Sequence, residues 1–192
     1  MNGKIIVLSA PSGTGKSSVI SKLTPRRELN LGFSVSATSR APRAGETDGK
    51  HYYFLSKDEF ARRVEADEFV EWEEVYAGTC YGTLTSEVER VTTSGRNLIM
   101  DIDVKGAVNV KKKFGDRALT IFILPPSLEE LEHRLRSRAT DDEETIRRRL
   151  DKAEYEMGFA PQFDEQVVND DLDKACGEVA GLIMDFISEK DK

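Results

Sequence analysis

Residues 10–17 read Ala10-Pro11-Ser12-Gly13-Thr14-Gly15-Lys16-Ser17 and directly follow the apolar run Ile5-Ile6-Val7-Leu8. An unbroken aliphatic run bounded by glycine and proline reads as a strand buried on both faces. It feeds a glycine-rich turn, and Gly15-Lys16-Ser17 open a helix. This arrangement aims backbone N–H groups and a helix N-terminus at one point, the geometry that holds phosphate oxygens. The stretch matches G-x-x-x-x-G-K-[ST] with Ala10 in place of the first glycine, a change that a residue at negative φ tolerates. In that pattern Lys16 reaches the β- and γ-phosphates and Ser17 offers its hydroxyl to Mg²⁺. Ala10, Pro11, Ser12, Gly13, Thr14, Gly15, Lys16, Ser17 and Ser18 are therefore the candidate triphosphate-binding residues. A ligand-free Gly/Ser turn is the plainer alternative, and the order strand, turn, Gly-Lys-Ser-Ser speaks against it.

Outward from this point the chain alternates strand and helix signals, which favours an α/β three-layer fold with a mostly parallel core sheet. Strands are expected at 4–8, 32–36, 97–101, 118–124 and 166–169. Helices are expected at 15–23, 85–94, 104–113, 127–138, 142–157 and 172–189. Capping boxes mark helix starts at Ser56…Glu59, Ser127…Glu130 and Thr140…Glu143. Two segments break the alternation. Residues 37–83 combine a Gly/Pro/Arg-rich loop, short aromatic runs and a small helix at 57–66, and read as an inserted α+β lobe. Residues 127–157 are helical and rich in arginine, and read as a lid. The expected core is 1–36, 84–126 and 158–192, with one lobe for an acceptor and one lid to exclude water.

Composition sets outer bounds. The 192 residues, 39% hydrophobic and 33% charged, suit a single globular domain. No apolar run approaches the ~20 residues of a membrane span, so no membrane partner and a cytoplasmic location are expected. Cys80 and Cys176 are too few for a disulfide framework and read as free thiols. A net charge of -7 argues against a general nucleic-acid binder.

Further candidates lie outside the glycine-rich loop. Arg40 and Arg43 put two guanidiniums on a proline-stiffened loop and suit a second phosphate, although a solvated basic loop would look the same. Tyr52 and Tyr81 are phosphate ligands or half-buried strand aromatics. Glu71 precedes Trp72, the single tryptophan, and a surface glutamate beside a core indole is the alternative. Asp101 and Asp103 end an apolar strand where α/β sheets bind ligands. Asp101 suits Mg²⁺ or its waters, while Asp103 competes as a helix N-cap. Arg134 and Arg138 share a helix face and Arg149 lies on the next helix. Such a cluster clamps phosphoryl oxygens or balances the surrounding glutamates. Asn169-Asp170-Asp171 reads at minimum as a turn with an N-cap.

Together these residues resemble the guanylate kinase family over essentially the whole chain. The marks are Pro-Ser-Gly-Thr-Gly-Lys-Ser-Ser at 11–18, Phe33-Ser-Val-Ser36, Thr-Ser-Arg-Ala-Pro-Arg-Ala-Gly-Glu at 38–46 and Gly49-Lys-His-Tyr-Tyr-Phe54. Phe69-Val-Glu-Trp72, Tyr81-Gly-Thr83, Asp101-Ile-Asp103 and Val167-Val-Asn-Asp170 complete them. The resemblance implies Mg²⁺-dependent transfer of the ATP γ-phosphoryl group to GMP, giving GDP and ADP. It implies that Arg40, Arg43, Tyr52 and Tyr81 hold the GMP phosphate, while Ser36, Glu71, Thr83 and Asp103 read guanine. It places Asp101 near Mg²⁺, through water, and near the acceptor. Lys16, Arg134, Arg138 and Arg149 become the catalytic cations, and Asn169 meets the adenine edge. The chain departs from the family pattern at Ala139, where glycine is usual, and at Thr79-Cys80 before Tyr81.

Carboxylates such as Glu71 and Asp103 accept from guanine N1–H and N2–H₂ and clash with the N1 acceptor of adenine, the kind of mismatch that discriminates strongly. The acceptor is an ionised phosphate oxygen, so no general base is needed. Non-catalytic guanylate-kinase-like modules that bind phosphopeptides are the alternative class. The intact Gly13, Gly15, Lys16 and Ser17 speak against that reading. Glu71 and Asp103 speak against a kinase for another monophosphate. A monomer or small homo-oligomer is expected.

Overall fold

The structure, a computed structural model, describes residues 2–76, 78–137 and 142–189. Along the chain run β1 (Ile5–Ser9), α1 (Lys16–Leu23), β2 (Leu31–Phe33), β3 (Ala37–Thr38), β4 (Tyr53–Phe54), α2 (Lys57–Glu65), β5 (Phe69–Tyr76) and β6 (Thr79–Leu84). There follow α3 (Thr85–Thr93), β7 (Asn97–Asp101), α4 (Val104–Phe114), β8 (Ala118–Leu124), α5 (Leu128–Ser137), α6 (Glu143–Met157), β9 (Glu165–Val168) and α7 (Leu172–Ser188).

A five-stranded sheet of order β2-β7-β1-β8-β9 forms the core, and each of its pairings is parallel. The run Ile5–Leu8 is buried throughout because both sheet faces are covered. Ile6 and Leu8 point to one face, against Val19, Ile20 and Leu23 of α1 and Val179 and Ile183 of α7. Ile5 and Val7 point to the other, against Val88 and Val91 of α3 and Val104, Ala107 and Val110 of α4. The period-two alternation of a strand thus serves two separate apolar layers.

The 37–83 stretch holds a second sheet of order β4-β3-β6-β5, parallel between β3 and β4 and antiparallel otherwise. Its small core is Ala37, Phe60, Phe69 and Leu84, with the Phe60 and Phe69 rings stacked at 4.5 Å. Helices α5 and α6 pack on each other through Leu131, Leu135, Ile146 and Ala153. No helix among the described residues is long and apolar enough to cross a membrane. Cys80 and Cys176 are both free.

Two local expectations are corrected. The strand expected at 32–36 stops at Phe33. Beyond it the Val35 N–H donates to the buried Glu87 carboxylate at 2.7 Å, and the chain leaves the edge of the core sheet to start β3 in the other sheet. The helix expected at 142–157 runs Glu143–Met157, but its cap is not the one expected. Asp142 caps α6, its carboxylate accepting the Thr145 N–H at 2.8 Å. A carboxylate meets both the orphan N–H groups and the positive helix end. Thr140 itself lies outside the described residues, as do Arg138 and Ala139. At the other two starts, Ser56 and Ser127 accept the N–H groups of Glu59 and Glu130, each at 3.1 Å.

Candidate active site

The loop between β1 and α1 turns through two left-handed glycines, Gly13 at φ 96° and Gly15 at φ 98°. Neither has room for a side chain. A Cβ on Gly13 would lie 2.9 Å from Leu135 of α5, and one on Gly15 2.6 Å from the Asn169 amide nitrogen. Gly15 is the N-cap of α1 and brings no side-chain hydrogen bond, so the first-turn N–H groups are offered to a ligand. Ser17 and Ser18 are exposed beside them. Ala10, whose φ is not positive, accommodates its methyl group.

The loop opens into a cleft of about 560 Å³ lined by Lys16, Ser17, Asp101, Asp103, Lys152 and Glu156, among others. Lys16 Nζ pairs with Asp101 Oδ1 at 2.6 Å and donates to the Ile102 carbonyl at 3.2 Å. Asp101 closes β7, so the parallel order that sets β7 beside β1 brings this carboxylate to the phosphate loop. Asp103 caps α4, accepting the Gly106 N–H at 2.7 Å, and still lines the cleft. The cap and the ligand readings of this residue are therefore compatible.

A second cavity, of about 290 Å³, lies on the other side of the loop between Gly13, Gly15, Arg134, Asn169 and Leu172. Here the Asn169 amide nitrogen donates to the Thr14 carbonyl at 2.7 Å, and Arg134 donates to the Asn169 carbonyl at 3.0 Å and to Glu130 at 2.8 Å.

In the 37–83 stretch the structure gathers a different set. Arg40 donates to Tyr81 Oη at 3.2 Å, lies 5.1 Å over the Tyr52 ring, and grips Glu46 with two parallel hydrogen bonds of 2.6 and 2.7 Å. Glu46 also accepts the Arg43 N–H at 2.7 Å. The Arg40 guanidinium, followed by the Arg43 amide, holds the Glu46 carboxyl down at about 2. Glu46 stands in the run 38–46 with no role assigned from sequence. The signal that would have found it is an acid three residues beyond a paired-arginine loop.

Glu71 lies opposite Thr83 in the β5–β6 ladder and close to Asp103 of the core. A Cβ on Gly106 would come within 3.0 Å of Glu71 and 3.3 Å of Asp103, so both carboxylates converge on the first turn of α4. Burial pushes the Glu71 carboxyl up to about 7, and the Asp103 charge adds to the effect. The Thr83 hydroxyl is buried beside that acid without a hydrogen-bond partner of ordinary geometry, and Thr83 pulls the Glu71 carboxyl part of the way back down. Ser36 sits at the entrance to β3, where its carbonyl accepts the Tyr53 N–H at 2.9 Å.

The family model described as guanylate kinase matches residues 2–186. The chain belongs to the guanylate kinase family. It is 59% identical over 186 residues to a guanylate kinase of Porphyromonas gingivalis, covering 97% of this chain and 99% of that one. The guanylate kinase of Bacteroides thetaiotaomicron is 52% identical over 190 residues, covering 99% and 93%. Among solved structures the fold matches guanylate kinase from Anaplasma phagocytophilum with a TM-score of 0.74 at 32% identity, over 98% of this chain and 88% of that one. A fragment of tight junction protein 3 shares the fold alone, with a TM-score of 0.52 at 11% identity over 96% of this chain and 57% of that one. The α/β fold is thus that of guanylate kinases, and the chain is an enzyme of that kind rather than a non-catalytic relative.

Of the residues expected to act, the fold brings Lys16, Ser17, Asp101 and Asp103 to one cleft and Arg40, Tyr52 and Tyr81 to another cluster. Glu71 and Thr83 stand opposite each other in the β5–β6 ladder, with Glu71 close to Asp103. Arg43 is exposed. Arg149 stands on α6, the helix that also sends Lys152 and Glu156 into the cleft, two residues that sequence reading did not single out.

Proposed function

We propose that the chain binds ATP along the phosphate loop and GMP in the 37–83 lobe, and transfers the γ-phosphoryl group to give ADP and GDP. The observation that carries this reading is Lys16, seated at the helix start and paired at 2.6 Å with Asp101, facing a cleft separate from the Arg40, Tyr52 and Tyr81 cluster. Two anion cradles of this kind suit two nucleotides held at once. Residues 127–157 act as the lid on a core of 1–36, 84–126 and 158–192.

Each nucleotide then has its assigned contacts. Ala10 to Ser18 cradle the triphosphate. The Asn169 nitrogen is committed to Thr14, so its amide oxygen is the atom assigned to the adenine edge. Arg40, Arg43, Tyr52 and Tyr81 take the GMP phosphate. Ser36, Glu71, Thr83 and Asp103 take guanine, whose N1–H and N2–H₂ donors match carboxylates and reject adenine. Asp101, paired with Lys16, lies near Mg²⁺ and the acceptor.

An ionised phosphate oxygen attacks in line, so positioning and charge neutralisation supply the catalysis. Lys16 follows the charge as it develops on the transferred group, and Arg134, Arg138 and Arg149 close on it from the lid. Mg²⁺ belongs to the same reading. The exposed Ser17 hydroxyl and the Asp101 carboxylate, 42% exposed, are hard oxygen donors of the right kind. No cluster of three or more metal-binding side chains exists among the described residues, which suits an ion that keeps phosphate and water ligands. When bound, it neutralises charge on the phosphate oxygens. The reading includes a cytoplasmic location and a monomer or small homo-oligomer.

The test is a coupled assay of ADP formation with GMP, AMP, CMP or UMP as acceptor. Turnover confined to GMP is expected, and comparable turnover of another monophosphate overturns the guanine assignment. Calorimetry with both nucleotides should find independent sites, and competition for one pocket overturns the two-cradle reading.

A further inference from the structure

The cleft beside the phosphate loop has one wall that the loop does not supply. Helix α6 contributes it, with Lys152 and Glu156 lining the space that Lys16, Asp101 and Asp103 line from the core. Arg149, Lys152 and Glu156 stand at i, i+3 and i+7 and so share one face of the helix. Their burial differs sharply: the Glu156 side chain is 8% exposed and that of Lys152 65%, with 3.6 Å between Nζ and Oε1.

A carboxylate as deep as Glu156 needs cations close by. Burial pushes the Glu156 carboxyl up; Lys152 on its own helix and Lys16 on the loop pull it part of the way back, while Asp103 faces it as a like charge. Glu156 is fixed by its burial, while Lys152, whose own side chain is exposed, is held by an ion pair stretched to 3.6 Å, of the weak kind. Lys16 already shares its charge with Asp101 and the Ile102 carbonyl. Among the named lining residues, three carboxylates outnumber two ammoniums, so an anionic ligand in this cleft has use for each cation within reach.

We propose that Lys152 is a further phosphate-binding residue of the triphosphate cleft, and that Glu156 is the positioning residue that holds its ammonium at the cleft wall. A polyphosphate presents more negative charge than one carboxylate, so the ammonium passes to the nucleotide while Glu156 stays in place. The inference rests on the reading that the phosphate loop holds ATP.

Equilibrium titration of the full chain with Mg·ATP, and separately with GMP, tests it. Lys152 is exposed, so replacing it leaves the fold intact. Lys152→Met should raise the Kd for ATP about fivefold, leave that for GMP unchanged and flatten the salt dependence. Lys152→Arg should restore ATP binding to within about twofold of the parent chain. Glu156→Gln should raise the ATP Kd about two- to threefold in the parent, and have no further effect in the Lys152→Met background. A purely structural Glu156 would weaken both ligands in either background. Unchanged ATP binding by Lys152→Met, an equal loss for ATP and GMP, or a Glu156→Gln effect that persists without Lys152 overturns the proposal. Lys16→Met is the control. If the parent chain takes no ATP, or Lys16→Met does not weaken it, the functional reading falls together with this inference. If Lys16→Met weakens ATP and Lys152→Met does not, this inference alone falls.

Discussion

The side-chain amide of Asn169 donates to the Thr14 carbonyl at 2.7 Å, fastening the end of β9 to the phosphate loop across 155 positions of sequence. Arg134 adds a second tie by donating to the Asn169 carbonyl, which joins α5 to the same strand end. Asn169→Ala leaves a buried carbonyl unpaired, at a cost of about 1–3 kcal/mol. Calorimetric unfolding should shift down by roughly 2–4 °C for each kcal/mol lost, and the KM for ATP should rise. An unaltered melting temperature and KM would show the tether to be idle.

Glu46 occupies Arg40 with two hydrogen bonds while Tyr81 takes a third. The acid both aims the guanidinium and orders the loop through the Arg43 N–H. Glu46→Gln keeps the shape but loses the charge-assisted pair. The KM for GMP should increase about three- to tenfold with kcat nearly unchanged, because an orienting contact is weakened in ground and transition states alike. Steady-state kinetics at saturating ATP measure this, and a fall in kcat at constant KM would refute it.

With Glu71 in the proposed guanine site, stability and GMP binding should both depend on pH, with opposite signs. Its carboxyl sits at about 7 in the fold against an ordinary 4.5, raised first by burial and then by Asp103. Between those values the folded chain keeps a proton that the unfolded chain has released, so stability declines as pH rises from 4.5 to 7 and then levels off. If guanine donors meet this acceptor ionised, GMP binding should expel that proton and tighten as pH rises through 7. Glu71→Gln should flatten both trends and weaken GMP about 10- to 100-fold. The phosphate of GMP titrates equally with both proteins, so the difference between their profiles isolates this group. Coincident profiles would remove Glu71 from the guanine site.

Lys16→Met should preserve the fold, since Asp101, 42% exposed, is left solvated when its partner goes. Turnover should fall at least about 10²–10³-fold through loss of charge stabilisation on the transferred group. GMP affinity, read by calorimetry, should remain within about twofold, because the proposed GMP cradle lies on the other sheet. Near-normal kcat would remove the phosphate loop from the chemistry.

Much of the fold was legible because its signals are local. The Ile5–Leu8 run, the glycines after it and the Ser56 and Ser127 caps each act within a few residues of themselves. Binary pattern and turn chemistry read them directly. The phosphate loop belongs to this class, since Gly13, Gly15 and the start of α1 lie in one short window. Where local signals competed, the reading slipped: Asp142 is the cap of α6, and the Val35 N–H goes to Glu87 instead of extending β2.

By itself, then, the sequence determined the alternating elements and the strand–loop–helix that offers N–H groups to phosphate. It also determined which residue types stood ready for two anions. Only the tertiary structure decided their partners. Lys16 meets Asp101 because the order β2-β7-β1-β8-β9 sets β7 beside β1, and Glu71 meets Asp103 because β5 lies over the start of α4. Glu156 reaches the cleft because α6 returns to the core. The energy of each such meeting depends on distance and desolvation between segments far apart in the chain, and no local window contains either quantity.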